Sequence, residues 1–481
     1  MRQLRPHQDH SIAALRQSLA RGKRRPLLQL PTGAGKTVVA ANIIRMAREK
    51  GKRVCFCVPA ISLIDQTVQE FYREGIEGIG VIQSMHPMQD YSKPVQVASI
   101  QTLQSRGTPD FDLVIVDEAH KMFKVVGEWM ERGTPFIGLS ATPWAKGLGR
   151  FYDDLIVGCT MKDLIEAGYL SDFRVYAPSH PDLTGVKTTA GDYNQKQLGD
   201  VMNDNRLVAD VVETWLKLGE GRPTLCFAVD RAHAKSLQDQ FTARGVGAGY
   251  IDAYTDLVER KFIEGQLNRG EISVVCNVGC LTTGVDWDVR CIVLARPTRS
   301  EMLFVQMIGR GLRTAEGKTD CLILDHADNH ARMGFASDIH KPYLDGGPIA
   351  DKAAHEKQER KDPLPKECPA CSYLKQPSQH ECPSCGFKPQ KVSTVEVEAG
   401  DLVEVRKTVK PVAKDDKQKF YSSLLGIAAQ RGRSKGWAAH AYRDNFGVWP
   451  RGLMERSITP APEVISFVRA KDIRFAKARA A

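Results

Sequence analysis

The chain has 481 residues, 42% of them hydrophobic, which is too long for one compact core and enough for two or three folded domains. No run of eighteen or more apolar residues occurs, and the opening MRQLRPHQDH lacks the apolar stretch of a secretory leader. Composition therefore excludes a membrane-spanning helix and points to a soluble, cytoplasmic protein. The formal charge of +10 is unevenly placed: residues 351–481 hold 25 Lys+Arg against 16 Asp+Glu, while residues 1–350 hold 42 against 41. Positive charge gathered in the C-terminal quarter suits a polyanion, because each neutralised phosphate releases counterions. A merely solvated tail is the plainer alternative.

From residue 25 to about 140, the apolar runs PLLQL, RVCFCVP, VQVASI, DLVIVDEAH and PFIGLSAT alternate with helical patterns such as TVVAANIIRMAREK and SLIDQTVQEFYRE. Buried runs separated by helices predict a mostly parallel sheet covered on both faces. After residue 205 the rhythm returns in PTLCFAV, GAGYID, SVVCNV, CIVLAR and CLILDHA. The expected fold class is α/β, with two tandem parallel-sheet lobes at residues 1–177 and 205–345 joined by a polar, turn-rich connection at 178–204. A charged linker (346–366), a cysteine module (367–390) and a basic, aromatic-rich region (391–481) complete the layout.

The strongest local signal is PTGAGKT, residues 31–37, between an apolar strand and a helix. Thr32, Gly33, Ala34 and Gly35 form a loop whose backbone N–H groups close around phosphates at a helix N-terminus. Lys36 then reaches the β- and γ-phosphates and Thr37 holds Mg²⁺. The general pattern has glycine where this chain has Leu30. Some eighty residues on, DLVIVDEAH sets Asp117 and Glu118 at the C-terminal end of an apolar strand, facing the same crevice. Asp117 is the expected Mg²⁺ ligand and Glu118 the base for an attacking water. His120 has two readings, a capping or core histidine and a coupling residue.

PTGAGKT, DEAH, SAT (140–142) and QMIGRGLR (306–313) stand in the order of motifs I, II, III and VI of the superfamily 2 DEAD/DEAH-box helicases, which this chain resembles over roughly residues 3–330. The resemblance implies RecA-like lobes, ATP as substrate, and further contacts. LRPHQ would place Arg5 and Gln8 at the adenine. VPAISLIDQ (58–66), with Pro59 and Gln66, and SIQTL (99–103), with Gln101 and Thr102, would touch nucleic acid. In TTGVDWD (282–288), Thr282 and Thr283 would face nucleic acid, and Gly284 and Asp286 the nucleotide. Arg310 and Arg313 would stabilise the transferring phosphoryl group from the opposite lobe, with Gln306 near the γ-phosphate. His120, Ser140 and Thr142 would couple the nucleotide to the strand. Because Q-x-x-G-R-G-L-R looks like the DNA-repair and restriction branch, the implied track is DNA, single-stranded or forked, rather than RNA. Replication or recombination proteins are the implied protein partners. A DNA translocase without strand separation, an RNA-dependent ATPase and a zinc-containing nucleic-acid adaptor are the alternatives.

Cys368, Cys371, Cys382 and Cys385 give two C-x-x-C knuckles separated by ten residues, the spacing of a zinc ribbon. The other eight cysteines read as reduced core residues. In the tail, Tyr421, Trp437, Tyr442, Phe446 and Trp449 interleave with Arg and Lys. That mixture suits either base stacking on nucleic acid or the core of a small helical domain. Motor, ribbon and a GWAAHAYRDNFGVWP ending together resemble helicases of bacteriophages and prophages, which would place the protein in a bacterial host cytoplasm.

Overall fold

The computed structural model describes residues 3–83, 85–189, 191–282, 287–346, 364–389 and 413–480. The chain divides into two compact units, Met1–Lys391 and Val392–Ala481. Within the first, seven strands form one sheet: β1 (Pro26–Gln29), β2 (Val54–Val58), β3 (Ile79–Ile82), β4 (Val95–Ser99), β5 (Leu113–Val116), β6 (Phe136–Ser140) and β7 (Asp154–Val157). Their order is β3-β4-β2-β5-β6-β1-β7, parallel throughout. Strands β1, β2, β4 and β6 are buried along their whole length, as a sheet covered by helices on both faces requires. The neighbours β5, β6 and β1 run in register, with Val116 opposite Gly138 and Gln29 opposite Ser140. Three motif-bearing loops therefore leave the same edge side by side.

A second parallel sheet is built from β8 (Asp172–Tyr176), β11 (Thr224–Phe227), β12 (Ala248–Ile251), β13 (Val274–Asn277), β14 (Cys291–Leu294) and β15 (Asp320–Asp325), in the order β12-β13-β11-β14-β15-β8. Strand β8 thus corrects the expected boundary, since residues 172–176 were assigned to the first lobe. It pairs with β15 along Asp172–Tyr176, and Arg174 forms an ion pair with Asp320 across that edge. The helix Met161–Glu166 and the residues after it make the crossover, so the lobe junction precedes Asp172 rather than following residue 177. The stretch 178–204 is also part of this lobe's surface. Its hairpin of β9 (Thr188–Thr189) and β10 (Asp192–Tyr193) is anchored by Asp192, which accepts from the Thr298 hydroxyl and the Arg299 N–H. The helix Gln195–Met202 buries Leu198 and Met202 against Val229.

The cysteine module holds β16 (Lys366–Glu367) antiparallel to β17 (Leu374–Lys375). It docks on the free edge of β8, where the Ala177 N–H donates to Ser372 O at 2.9 Å, Tyr176 packs edge-on against Tyr373, and the Tyr176 and Ser384 hydroxyls are hydrogen-bonded at 2.9 Å. An exposed strand edge is an aggregation hazard, and the module covers this one. Seven of the other eight cysteines are buried and Cys280 is half-buried, as core residues should be.

The second unit carries the helices Lys414–Gln430, Lys435–Phe446 and Pro462–Ala480. Tyr421, Leu424, Tyr442, Val464 and Val468 form its core, with Phe446 packed against it. The tail aromatics divide between the two readings of the sequence. Tyr421, Tyr442, Phe446 and Trp437 are packing residues, Trp437 also lying under Arg433 at 4.6 Å, whereas Trp449 stays outside the core under Arg443 at 4.6 Å. Among the described residues no helix is long and apolar enough to cross a membrane.

Candidate active site

A cavity of about 360 Å³ opens where the two sheets meet, lined from one lobe by Gln8, Lys36, Thr37, Asp117 and Glu118 and from the other by Arg310 and Arg313. The loop 31–37 turns because Gly33 and Gly35 adopt φ of 85° and 83°, which L side chains rarely take. A Cβ on Gly33 would also lie 2.6 Å from the Leu170 side chain. Gly35 caps the helix Lys36–Glu49, aiming its unpaired N–H groups into the cavity. Leu30, the departure from the general pattern, continues the strand: its N–H donates to Ser140 O at 2.9 Å and its side chain is fully buried. Glycine's freedom is not needed there.

Asp117 and Glu118 follow β5 directly. Consecutive strand residues point to opposite faces, but Glu118 has φ 48°, and this left-handed step lets both carboxylates line the cavity. Burial, together with the neighbouring Glu118, pushes the Asp117 carboxyl up to about 6, against the pull of Lys36. Burial pushes Glu118 up as well, yet Lys36, His120 and Arg310 outweigh it and hold this carboxyl below its ordinary value. Glu118 is therefore the more acidic member of the pair, the first to ionise as pH rises. Its buried Oε2 accepts no well-aligned hydrogen bond from the described residues, with His120 Nδ1 3.3 Å away beside it.

Behind Glu118 runs a buried polar chain that crosses between lobes. His120 Nδ1 is 2.9 Å from Ser140 Oγ, which also accepts the Thr142 N–H at 3.1 Å. From the second lobe, Gln306 Nε2 donates to Thr142 Oγ1 at 3.0 Å and lies 3.5 Å from His120 Nε2. Burial pushes the His120 imidazole down to about 4, so it is neutral near pH 7. The neutral ring turns Nδ1 toward Ser140 and Nε2 toward the Gln306 amide. One helix, Glu301–Gly311, carries Gln306 and, one turn further on, Gly309 and Arg310. A Cβ on Gly309 would lie 3.0 Å from Thr32 Cβ, so the two lobes touch backbone to loop at this point.

The two residues expected at the adenine, Arg5 and Gln8, both line this cavity. Gln8 bridges segments, accepting the Arg5 N–H at 3.0 Å and donating to Ala34 O at 2.8 Å. The Arg5 guanidinium lies over the ring of Tyr169, 4.5 Å from its centroid. Tyr169 carries no motif signal, and only the fold brings it here. Of the remaining expected residues, Gln66 lines the same cavity, on the helix Ile64–Arg73. Pro59 is buried at the end of β2, and Gln101 is exposed and Thr102 buried on the helix Ile100–Arg106 after β4. Thr282 ends the short 3-10 helix Cys280–Thr282, and Thr283, Gly284 and Asp286 lie outside the described residues.

The four module cysteines place their sulfurs within 4.8 Å of one another, with Cys368–Cys385 and Cys371–Cys382 both at 3.7 Å. Bonds of about 2.3 Å to a tetrahedral ion give sulfur–sulfur edges of about 3.8 Å, so this donor set fits such an ion. The Cys368 and Cys382 carbonyls accept the Ser372 and Gly386 N–H groups, closing both knuckles.

A phosphate loop on one parallel-sheet lobe, answered by arginines and a glutamine from a second, defines a two-lobed nucleoside triphosphatase. Residues 1–144 match the family model for the type III restriction enzyme res subunit, and residues 207–315 match the helicase conserved C-terminal domain. The chain is 29% identical over 363 residues to a 51.5 kDa protein of Lactococcus phage (isolate 7-9), covering 72% of this chain and 75% of that one. It is 30% identical over 358 residues to the ATP-dependent helicase IRC3 of Saccharomyces cerevisiae, covering 67% of this chain but only 51% of the yeast protein. A fragment of an HsdR subunit of a type I restriction enzyme from Vibrio vulnificus YJ016 shares the fold, with a TM-score of 0.52 at 22% identity over 71% of this chain and 67% of that one. The chain belongs to the superfamily 2 helicases, with relatives encoded by bacteriophages. ATP and Mg²⁺ come with that membership, and Lys36, Thr37 and Asp117 on one wall of the cavity are a donor set that fits them.

Proposed function

We propose that the protein is a DNA motor that hydrolyses ATP between its lobes to move along and separate strands. The observation that carries this reading is the buried contact of Gln306 with Thr142 and His120, because it ties the opposite lobe to the residues behind Glu118. In this reading Lys36 binds the phosphates and Glu118 takes a proton from the attacking water. Thr37 and Asp117 hold Mg²⁺, which neutralises phosphate charge. Arg310 and Arg313 face the transferring group only when the lobes close, so hydrolysis and reopening become one cycle. Pro59, Gln101, Thr102, Thr282 and Thr283 form the strand contacts, while Gln66, given its position, serves the nucleotide side. Gly284 and Asp286 remain assigned to the nucleotide.

The matches to restriction-enzyme subunits and the Q-x-x-G-R-G-L-R form of residues 306–313 favour DNA as the track. The cysteine module holds one structural zinc ion, since four thiolates leave no open position for water. A phage relative supports a place in the bacterial host cytoplasm, with work in DNA replication, recombination or repair. The test is steady-state ATP hydrolysis without polymer and with single-stranded DNA, duplex DNA or RNA, using Glu118→Gln as the blank. DNA should stimulate turnover at least tenfold and RNA should not. Equal stimulation by RNA would refute the DNA assignment, and turnover in the blank equal to wild type would refute the site.

A further inference from the structure

The chemistry above leaves one wall of the nucleotide cavity unused, the wall made by the crossover between the lobes. Three consecutive residues there each touch a different part of the machinery. Tyr169 lines the cavity with the Arg5 guanidinium 4.5 Å from its ring centroid, and His7 packs tilted at 5.2 Å. Leu170 is buried, lies against Gly33 of the phosphate loop, and forms an antiparallel β-bridge with Arg313. Ser171 donates its N–H to Leu312 O at 2.8 Å.

We propose that Tyr169 is the base-recognition residue of this site, a stacking platform shared with Arg5 that favours purine over pyrimidine nucleotides. The proposal rests on the reading of the cavity as the ATP site. A phenol ring paired with a guanidinium offers flat, polarisable surface and no hydrogen-bond code, so it measures ring area. Gln8 is spent on other partners: its oxygen accepts from Arg5 and its nitrogen donates to Ala34, which leaves its amide holding the phosphate loop. Adenine and guanine should therefore both be accepted, and the smaller pyrimidines bound less well. Because the next residue bridges to Arg313, a seated base also fixes the segment that carries this arginine.

The experiment compares wild type, Tyr169→Ala and Tyr169→Phe for hydrolysis of ATP, GTP, CTP and UTP, with ADP binding by competition as a readout free of turnover. Losing one base stack should raise the KM for ATP and GTP about tenfold and weaken ADP to the same degree. The KM for UTP should move less than about twofold, and Tyr169→Phe should restore purine binding. Retained kcat at saturating ATP would show that Tyr169→Ala is folded and that its phosphate chemistry is intact. A KM rise shared equally by ATP and UTP, or absent from both, would overturn the proposal, as would a collapse of kcat with ADP affinity unchanged. Lys36→Ala assayed in parallel separates this from failure of the site itself: full hydrolysis in that variant would sink the ATP-site reading.

Discussion

Thr142→Val deletes the hydroxyl that accepts the Gln306 amide across the lobes while keeping the side chain's shape. Thr142 is fully buried and Gln306 is 8% exposed, so an orphaned Gln306 N–H stays dry in the closed cleft. Leaving a buried donor unpaired costs about 1–3 kcal/mol, and the long 3.5 Å approach to His120 recovers part of it. About 1–1.5 kcal/mol is then lost by the closed form alone, since water can reach Gln306 once the lobes part. The closed population should fall roughly 5- to 12-fold, and DNA-stimulated kcat/KM for ATP with it. Gln306→Leu removes the other partner, and combining both substitutions leaves no orphan. The double variant should therefore lose less than the two single losses summed, by about 1 kcal/mol of coupling. If the single effects add to within about 0.5 kcal/mol, the contact contributes nothing to closure and the coupling argument fails.

Gly309→Val tests the same interface sterically. Its Cβ would stand 3.0 Å from Thr32 Cβ with two further methyls to place, so ATP turnover should drop more than about tenfold while thermal stability holds, each lobe's own core being untouched. A fall in melting temperature matching the activity loss would count against this account. Zinc should be measurable at about one ion per chain, and Cys382→Ser should lose it and destabilise the second lobe through the Tyr176–Tyr373 contact. Metal-free protein with unchanged melting would contradict both expectations. Stability should also fall with pH. Burial pushes His233 and His326 from the ordinary 6.5 down to about 4, so below pH 6.5 the unfolded chain binds protons that the folded one refuses. Each site should cost about 2 kcal/mol by pH 5, and the loss should level off below about pH 4. An equally steep profile in His326→Asn would disprove its share.

The parts of this molecule that were legible in its sequence are those written in local pattern. The loop 31–37 and the acids 117 and 118 sit at the ends of apolar runs, and such runs become parallel strands whose ends share one edge. Strand β8 was misplaced because DFRVY is a short, mixed polar and apolar edge strand whose pattern does not say which sheet it joins. The choice shows only in its ladder with β15 and in the partners of Arg174, Asp320 and Glu220, which lie about 150 and 50 residues away. Tyr169 was missed for a related reason: a tyrosine before a strand has no periodicity to betray it. The tail could not be resolved by composition, since Tyr442 in a core and Trp449 under an arginine look alike in a list of residues.

The sequence also conceals how two adjacent acids come to differ. Asp117 and Glu118 share one cavity, and like charges that close cannot both ionise cheaply. The structure separates them by environment: burial and its neighbour leave Asp117 near 6, while Lys36, His120 and Arg310 keep Glu118 charged. Of these, Lys36 and Arg310 are cations at neutral pH, and Arg310 belongs to the opposite lobe. Ionisation of the proposed base is therefore supported in part by closure itself, and opening the cleft withdraws that support. A left-handed backbone at Glu118 costs about 1 kcal/mol or more, and the surrounding contacts must hold it in place. The link from His120 through Ser140 and Thr142 to Gln306 is the set that can do so, and half of its last hydrogen bond comes from the second lobe. Closure thus sets both the charge and the posture of the same carboxylate, which is what coupling a motor's stroke to its chemistry requires.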